Sequence, residues 1–332
     1  MSATLGAARR RLPIGAVNLR LAILLLALLA VFSVLLGDRL FTAASLRSMA
    51  FQLPELGLLS LAMMVPLLCG GLDLSIIATA NLVALTIAFL FGALVPAEAG
   101  AAWAAAQIAC VLAGFGLAAL IGLLNGIIIA YLEVSPILTT LGAMTLIKGV
   151  SIGLTHGGVL SDFPAPVAYV GNGSVLHIPV VMLIFAAVAF LMAVVLGRSA
   201  FGQTLRMIGS NEPAARFSGI DTRRKLVRAY VISALLAATA GVVMMARFNS
   251  ANAAYGESYL LVTILAAVLG GISPAGGFGK VAGLIIALIV LQLISTAFNL
   301  LGFSQFLTLA IWGATLIAVA AAARLRSLFG IS

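Results

Sequence analysis

Long apolar runs, each followed by a short polar or glycine-rich segment, succeed one another along almost the whole chain. A membrane-spanning helix needs about 20 mostly apolar residues, and ten stretches approach this length or exceed it. They cover about residues 19–37, 48–69, 74–95, 103–131, 136–155, 177–197, 226–247, 258–272, 280–298 and 304–323. Since 258–272 is short, we expect a half-helix or re-entrant segment there. The pattern predicts an all-α, polytopic membrane protein with about ten transmembrane helices, some of them broken or re-entrant, in one domain over residues 1–332.

The composition supports lipid as the solvent of this chain. Hydrophobic residues make up 63% of it and charged residues only 8%, whereas about a quarter of a soluble domain is charged. The net charge of +9 lies at the ends of the apolar runs, which indicates topology signals rather than nucleic-acid binding. Cys69 and Cys110 lie in apolar runs, and His156 and His177 share one polar loop far from them. We therefore predict no metal site, disulfide or cofactor.

The distribution of basic residues predicts the topology. An even number of spans puts both termini on the same side, and with the N-terminus inside, 14 of the 18 Lys and Arg residues fall in cytoplasmic segments. We expect a cytoplasmic tail over 1–18, a cytoplasmic loop over 198–226 and a cytoplasmic C-terminus, in a protein of the bacterial inner membrane. The opposite segment, 155–177, is rich in glycine, proline and polar residues, and is either an extracellular cap or a plain connector.

The loop at 197–228 is the longest charged stretch, with seven basic and two acidic residues. Helix signals lie inside it. Ser210 or Asn211 is a suitable N-cap, Pro213 is tolerated in a first turn, and Gly219 is suited to a left-handed C-terminal position. The pattern predicts a short helix whose small residues Ala214, Ala215 and Ser218 are exposed. Such a helix either docks onto a partner or belongs to a basic loop that only fixes topology.

Two glycine-rich segments, CGGLDLS at 69–75 and GGISPAGGFGK at 270–280, each follow an apolar run. Neither is a phosphate-binding loop, because Val281 follows Lys280 in place of Ser or Thr. Helix breaks inside a bilayer are tolerated where protein or a water-filled cavity satisfies the backbone, and they often build substrate paths. Asp73 and Ser75 are expected to line such a path or to cap the next helix, and capping is the favoured role for Asp73.

The two halves of the chain also share sequence features. The two glycine-rich breaks are alike, and VSPILTTLGAMTLI at 134–147 resembles FSQFLTLAIWGATLI at 303–317. These matches indicate an internal duplication, as transporters often have, although the downstream pair is expected to run in opposite directions. The polar residues inside the spans favour interhelical hydrogen bonding over ligand contact; they are mainly Asn125, Thr139, Thr140, Gln292 and Asn299.

Four segments in order resemble one family, the integral-membrane permease subunits of bacterial ABC sugar importers of the ribose, xylose, rhamnose and autoinducer-2 type. They are GGLDLS at Gly70–Ser75, and the segments Leu124–Gly149, Gly202–Ile220 and Ala266–Gly279. The resemblance covers about residues 48–320. It implies a membrane subunit that forms the path for a simple sugar and has no ATPase activity of its own.

The resemblance also implies partners and residue roles. The partners are a cytoplasmic ATP-binding subunit, a periplasmic substrate-binding protein and a second permease subunit, identical or homologous. The coupling helix that contacts the ATPase would include Gly209, Asn211, Glu212, Ala214, Ala215 and Gly219. The candidates for the translocation path are Asp73, Ser75, Asn125, Ser135, Thr139 and Asn299.

Three alternatives remain at this point. A branched-chain amino-acid ABC permease would have a related sequence. An ion-coupled secondary transporter normally uses intramembrane carboxylates, and only Glu55 and Asp73 lie near membrane depth here. An intramembrane hydrolase would need a serine–histidine pair, and both histidines fall in the outer loop.

Overall fold

A computed structural model describes residues 14–95 and 103–329. The helices are α1 Ile14–Leu36, α2 Ala43–Leu68, α3 Ile76–Leu94, α4 Ala104–Tyr131, α5 Pro136–Thr155, α6 Ala165–Asn172, α7 Val180–Arg198, α8 Ala200–Ser210, α9 Glu212–Phe217, α10 Thr222–Phe248, α11 Tyr259–Leu269, α12 Val281–Leu300 and α13 Gln305–Phe329. The all-α prediction is confirmed, and each of the ten predicted spans corresponds to a helix. The cytoplasmic tail expected over residues 1–18 lies largely outside the described residues.

Within the described residues, eight helices are long and apolar enough to cross a membrane. The helix α11 is one of two shorter apolar helices, and its 11 residues extend about 16 Å, roughly half of the hydrocarbon core. The short segment predicted at 258–272 is therefore confirmed as a half-length helix. The chain is a multi-pass membrane protein.

The helices α2 and α10 form the centre of the bundle. Of the apolar window of α2, 89% is buried, compared with 22% for α5 and 28% for α7. The helix α2 packs against α7, α10, α11 and α12, and all its residues from Leu53 to Leu68 are buried. The peripheral helices expose leucine, isoleucine and phenylalanine side chains, as expected for surfaces solvated by lipid.

Small residues let α4 approach α10 closely. A side-chain carbon at Gly126 would lie 2.7 Å from Cα of Val227, and one at Gly122 would lie 2.6 Å from the carbonyl oxygen of Tyr230. The two glycines are four residues apart and share one face of α4. They form the small-xxx-small contact typical of membrane helices, which holds α10 beside the α4–α5 connection.

The segment between α5 and α7 is folded rather than a plain connector. It contains α6, the strand β1 (Leu160–Ser161) and a hairpin of β2 (Ser174–Val175) with β3 (Ile178–Pro179). The strand β1 pairs antiparallel with β4 (Ser250–Ala251), and Asn252 donates hydrogen bonds to the carbonyl oxygens of Gly157 and Gly158. This cap therefore fastens the end of α5 to the end of α10.

The two glycine-rich breaks end their helices in the same way. After α2, the N–H of Gly70 donates to the carbonyl oxygen of Leu67, and the N–H of Gly71 donates to that of Pro66. After α11, the N–H groups of Gly271 and Ile272 donate to the carbonyl oxygens of Val268 and Ala267 in the same pattern. Gly70 and Gly271 both have φ of +80°. This is the Schellman ending, which needs a left-handed residue that glycine adopts without strain. The similarity agrees with the predicted duplication, which stays a prediction.

Candidate functional site

The first break is held by a buried carboxylate. Asp73 is 2% exposed; its Oδ1 accepts hydrogen bonds from the backbone N–H and the hydroxyl of Ser75, at 3.0 and 2.6 Å. Its Oδ2 accepts a hydrogen bond of 2.9 Å from the hydroxyl of Ser233 on α10. The prediction that Asp73 caps the next helix is wrong. The helix α3 begins at Ile76 after an N-cap residue, Ser75, that makes no side-chain cap bond, and Asp73 stabilises the turn before it.

Two further helices close around this break. Asn125 on α4 donates a 3.1 Å hydrogen bond to the hydroxyl of Ser75. Thr140 on α5 accepts a 3.1 Å hydrogen bond from the N–H of Leu74, and its hydroxyl lies 3.2 Å from the carbonyl oxygen of Leu72. The N–H of Leu74 and the carbonyl oxygen of Leu72, both freed by the break, thus have protein partners, as the membrane interior requires. The predicted hydrogen-bonding role of Asn125 and Thr140 is confirmed.

The six path candidates therefore do not form one surface. Asp73, Ser75 and Asn125 are brought together, but they are buried against one another. Ser135 lines a cavity of about 420 Å³ that also contacts α9. The buried hydroxyl of Thr139 has no hydrogen-bond partner among the described residues, and Asn299 is exposed near the end of α12. Their contact with substrate stays a prediction.

The short helix predicted in the charged loop is present as α9. Asn211 is its N-cap, and its side-chain oxygen accepts a 3.0 Å hydrogen bond from the N–H of Ala214. Pro213 lies in the first turn, and Gly219 follows the helix with φ of +79°. Glu212 and Arg216 pair across one turn at 2.8 Å. The local signals in the sequence thus predicted this helix correctly.

The faces of α9 differ from the expectation. Ala214 and Ser218 are exposed, but Ala215 is only 2% exposed and packs inside the chain. The expected role of Ala215 in an exposed small face is therefore wrong. Phe217, which the sequence analysis did not single out, is 93% exposed. A large apolar side chain at the surface of a charged segment is typical of a protein contact.

The helix α8 was not predicted from the sequence, and the helix after it begins earlier than predicted. The helix α8 occupies residues Ala200–Ser210 of the expected loop, and α10 begins at Thr222 rather than near residue 226. The missed signal was the spacing of Gly202, Leu205 and Ile208, which are buried on one face of α8 at intervals of three residues.

The end of α8 lies directly against both glycine-rich breaks. A side-chain carbon at Gly209 would collide with the carbonyl oxygen of Leu68 and the backbone nitrogen of Gly277, and one at Gly276 would lie 2.7 Å from the nitrogen of Gly70. The N–H of Gly277 donates a 2.9 Å hydrogen bond to the same carbonyl of Leu68. We call these five residues the coupling junction. Backbone touches backbone there, so no flexible side chain separates α8 from the two breaks.

A second buried carboxylate lies on α2 itself, more than three turns before the break. Glu55 is fully buried, and its Oε1 pairs with Nη1 of Arg247 on α10 at 2.6 Å. Tyr259, the first residue of α11, donates a 3.3 Å hydrogen bond to Oε2 of Glu55. The ion pair joins α2, α10 and α11. Both charges were visible in the sequence, since Glu55 lies inside an apolar run and Arg247 at the end of one. Their pairing could not be predicted from it.

Comparison with known proteins identifies relatives over most of the chain. A family profile described as "Branched-chain amino acid transport system / permease component" matches residues 45–320. The ribose import permease protein RbsC of Bacillus subtilis is 31% identical over 79% of each chain, and that of Escherichia coli K12 is 32% identical over 86% of each. The autoinducer 2 import system permease protein LsrD of Yersinia enterocolitica is 29% identical over 80% of this chain and 78% of its own. No solved structure matches.

Proposed function

The chain belongs to the family of transport-system permease components matched over residues 45–320, and we propose that it forms the sugar path of an ATP-powered importer. As a permease it is a transporter subunit and not an enzyme, so energy comes from a partner chain. The relatives are named for ribose and autoinducer 2. These names favour a simple sugar or a related polyol as the transported molecule.

The coupling junction is the observation that carries the proposal. An exposed short helix, α9, follows α8, and α8 touches the breaks after α2 and α11 through Gly209. A cytoplasmic ATP-binding subunit that binds α9 would therefore displace α8, and with it the two points where the membrane helices are interrupted. Because a basic loop that only fixed topology would not need this contact, the arrangement supports docking.

The orientation and assembly are part of the same proposal. The connections predicted to be cytoplasmic lie at one end of the bundle: α8 contacts the breaks, and Arg223 in the first turn of α10 pairs with Glu133 after α4 at 3.2 Å. Their positive charge favours the cytoplasmic side, with both termini inside. A periplasmic binding protein would then meet the cap formed by α6 and the β-strands. A second permease subunit, implied by the resemblance, would complete the pore.

The two other transport hypotheses are weaker. The family description names branched-chain amino acids. The relatives reported above are named for ribose and autoinducer 2, which disfavours an amino-acid permease. An ion-coupled transporter needs an available carboxylate at depth. Glu55 is paired with Arg247, and Asp73 accepts three hydrogen bonds from Ser75 and Ser233. Both carboxylates are thus engaged in holding the helices together.

Co-expression with the ATP-binding and substrate-binding proteins of the same operon tests the function. We expect the purified chain alone in nanodiscs to release no phosphate from ATP, because it lacks a phosphate-binding loop. The assembled complex should hydrolyse ATP and accumulate a radiolabelled sugar in proteoliposomes. Phosphate release by the chain alone, or a complex that accumulates only leucine, would contradict the proposal.

A further inference from the structure

A second cavity, of about 310 Å³, lies between α2, α11, α12 and α13. Its volume is near the lower limit of small-molecule sites, about 300–1,000 Å³. Its polar and aromatic lining includes Gln52, Ser258, Tyr259, Gln292, Ser295 and Trp312. No charged side chain is among the described residues that line it. Polar side chains in apolar spans either join neighbouring helices by hydrogen bonds or line a substrate path.

Two glutamine side chains meet at this cavity from different helices. Nε2 of Gln292 on α12 donates a 3.2 Å hydrogen bond to Oε1 of Gln52 on α2, two residues that are 240 positions apart. Gln52 in turn donates to the hydroxyl of Ser48 at 2.8 Å. Among the described residues, no donor bonds Oε1 of Gln292, so this lining residue keeps an unused acceptor.

The wall beside the amides is electrically neutral. Tyr259 lines the cavity while its hydroxyl is tied to Glu55, whose charge is paired with Arg247. Amides and hydroxyls supply hydrogen bonds, and the ring of Trp312, only 6% exposed, supplies an apolar face. Such a lining suits a neutral polyhydroxylated molecule. It offers no cation for a carboxylate or phosphate and no carboxylate for an amine.

The cavity lies towards the end of the spans opposite the coupling junction. Gln52 precedes Leu68, a junction residue, by 16 positions on α2, which corresponds to about 24 Å along a helix. A molecule in the cavity is thus separated from the cytoplasmic end by most of the thickness of a membrane core, about 30 Å.

We propose that this cavity is a substrate subsite of the permease, which takes a neutral sugar or polyol through the Gln52–Gln292 amide pair before it reaches the coupling end. The proposal rests on the proposed function, because it names where in the chain the sugar binds. It assigns recognition to side chains of the permease itself.

The test uses the full importer, with its ATP-binding and substrate-binding proteins, in proteoliposomes. Uptake is measured with radiolabelled D-ribose, L-arabinose, D-xylose and L-rhamnose, and the best transported of these is the probe. The variant Gln292→Leu removes both the acceptor and the donor to Gln52. We expect its uptake to fall at least about tenfold, because a sugar hydroxyl loses its hydrogen-bond partner at a buried side chain.

Gln107→Leu is the matched control. Gln107 is also a buried glutamine in a span, 7% exposed on α4, and its Nε2 has no hydrogen-bond partner among the described residues. It does not line the cavity, so we expect uptake close to that of the wild type. Gln292→Leu uptake at the wild-type rate would overturn the subsite while leaving the proposed function intact. A wild-type importer that takes up none of the four sugars would overturn both.

A second variant separates loss of binding from loss of folding, because it is altered only after the complex has assembled. Ser295→Cys, in a background with Cys69 and Cys110 replaced by alanine, is modified with a methanethiosulfonate reagent after the complex has assembled. Uptake should fall on modification and recover when dithiothreitol removes the adduct. Asp38→Cys, at an exposed position in the connection between α1 and α2, is the control and should be insensitive. Unchanged uptake after modification of Ser295→Cys, with complete modification verified by mass spectrometry, would also overturn the proposal.

Discussion

The hydroxyl of Ser233 donates a hydrogen bond of 2.9 Å to the carboxylate of Asp73, although the two residues are 160 positions apart. The same hydroxyl lies 3.0 Å from the carbonyl oxygen of Ala62 on α2. One serine of α10 therefore contacts both α2, at Ala62, and the break that follows α2. The orientation of the first glycine-rich break is set by this contact.

Replacing Asp73 with alanine should destabilise the protein. The N–H of Ser75 and the hydroxyl of Ser233 lose their acceptor, and a buried donor left unpaired costs about 1–3 kcal/mol. We expect a lower midpoint temperature of aggregation in detergent for Asp73→Ala. Asp38→Ala is the control because Asp38 is exposed, and it should melt like the wild type. Equal melting of both variants would mean that the Asp73 contacts contribute nothing to stability.

The pair of Glu55 and Arg247 should show strong coupling in a double-mutant cycle. Glu55→Leu leaves a guanidinium without its partner, and breaking a buried pair costs about 3–5 kcal/mol. The double variant Glu55→Leu/Arg247→Leu should regain most of this stability, because it leaves no unpaired charge. Unfolding of each variant is followed by thermal melts in the same detergent.

The comparison pair for this cycle is Lys148 and Glu257. Their charged groups lie 2.7 Å apart, but the side chains are 41% and 50% exposed. A solvated pair contributes at most about 1 kcal/mol, so removing either partner should change the melt little. A coupling free energy between Glu55 and Arg247 as small as that between Lys148 and Glu257 would contradict a stabilising role for the buried ion pair.

Phe217 should be needed for contact with the ATP-binding subunit. Its side chain is 93% exposed on α9, and an aromatic residue at the centre of an interface contributes about 2 kcal/mol or more, roughly thirtyfold in affinity. We expect Phe217→Asp to lose co-purification of the ATPase while the chain still inserts. Tyr169→Asp, an exposed aromatic position on α6 at the other end of the molecule, should assemble normally. Normal assembly of Phe217→Asp would show that α9 does not dock.

Gly209 should be required for coupling, since a side chain there collides with Leu68 and Gly277. We expect Gly209→Val to separate α8 from the breaks, so that ATP hydrolysis persists in the complex and sugar uptake falls at least about tenfold. Gly197→Val is the matched control because nothing lies within 4 Å of a side-chain carbon at Gly197. Both activities are measured in the same proteoliposomes, and normal uptake by Gly209→Val would contradict this role.

Cysteine labelling in intact cells tests the orientation. With Cys69 and Cys110 replaced, Arg216→Cys on α9 should be protected from a membrane-impermeant maleimide, and Asn172→Cys at the end of α6 should react. Both positions are exposed or at the protein surface, so protection reports the side of the membrane. Labelling of Arg216→Cys from outside would reverse the proposed topology.

The sequence by itself determined the local elements of this protein. Ten apolar runs predicted ten helices, because burying an unpaired backbone in lipid forces each run to satisfy its own hydrogen bonds. The helix α9 was predicted with its cap, Asn211, and its terminator, Gly219, because capping depends on residues within one turn. The four segments that resemble the permease family also indicated the class of protein.

Only the tertiary structure decided which residues meet. Asp73 and Ser233, Glu55 and Tyr259, and Gln52 and Gln292 are 160, 204 and 240 positions apart. Such contacts depend on how helices cross, and a one-residue rotation about a helix axis, about 100°, would turn each side chain elsewhere. The same geometry turned Ala215 inward and Phe217 outward on α9, although both follow the same local signals. The sequence could predict that α9 exists, but its contact face depends on the helices beneath it.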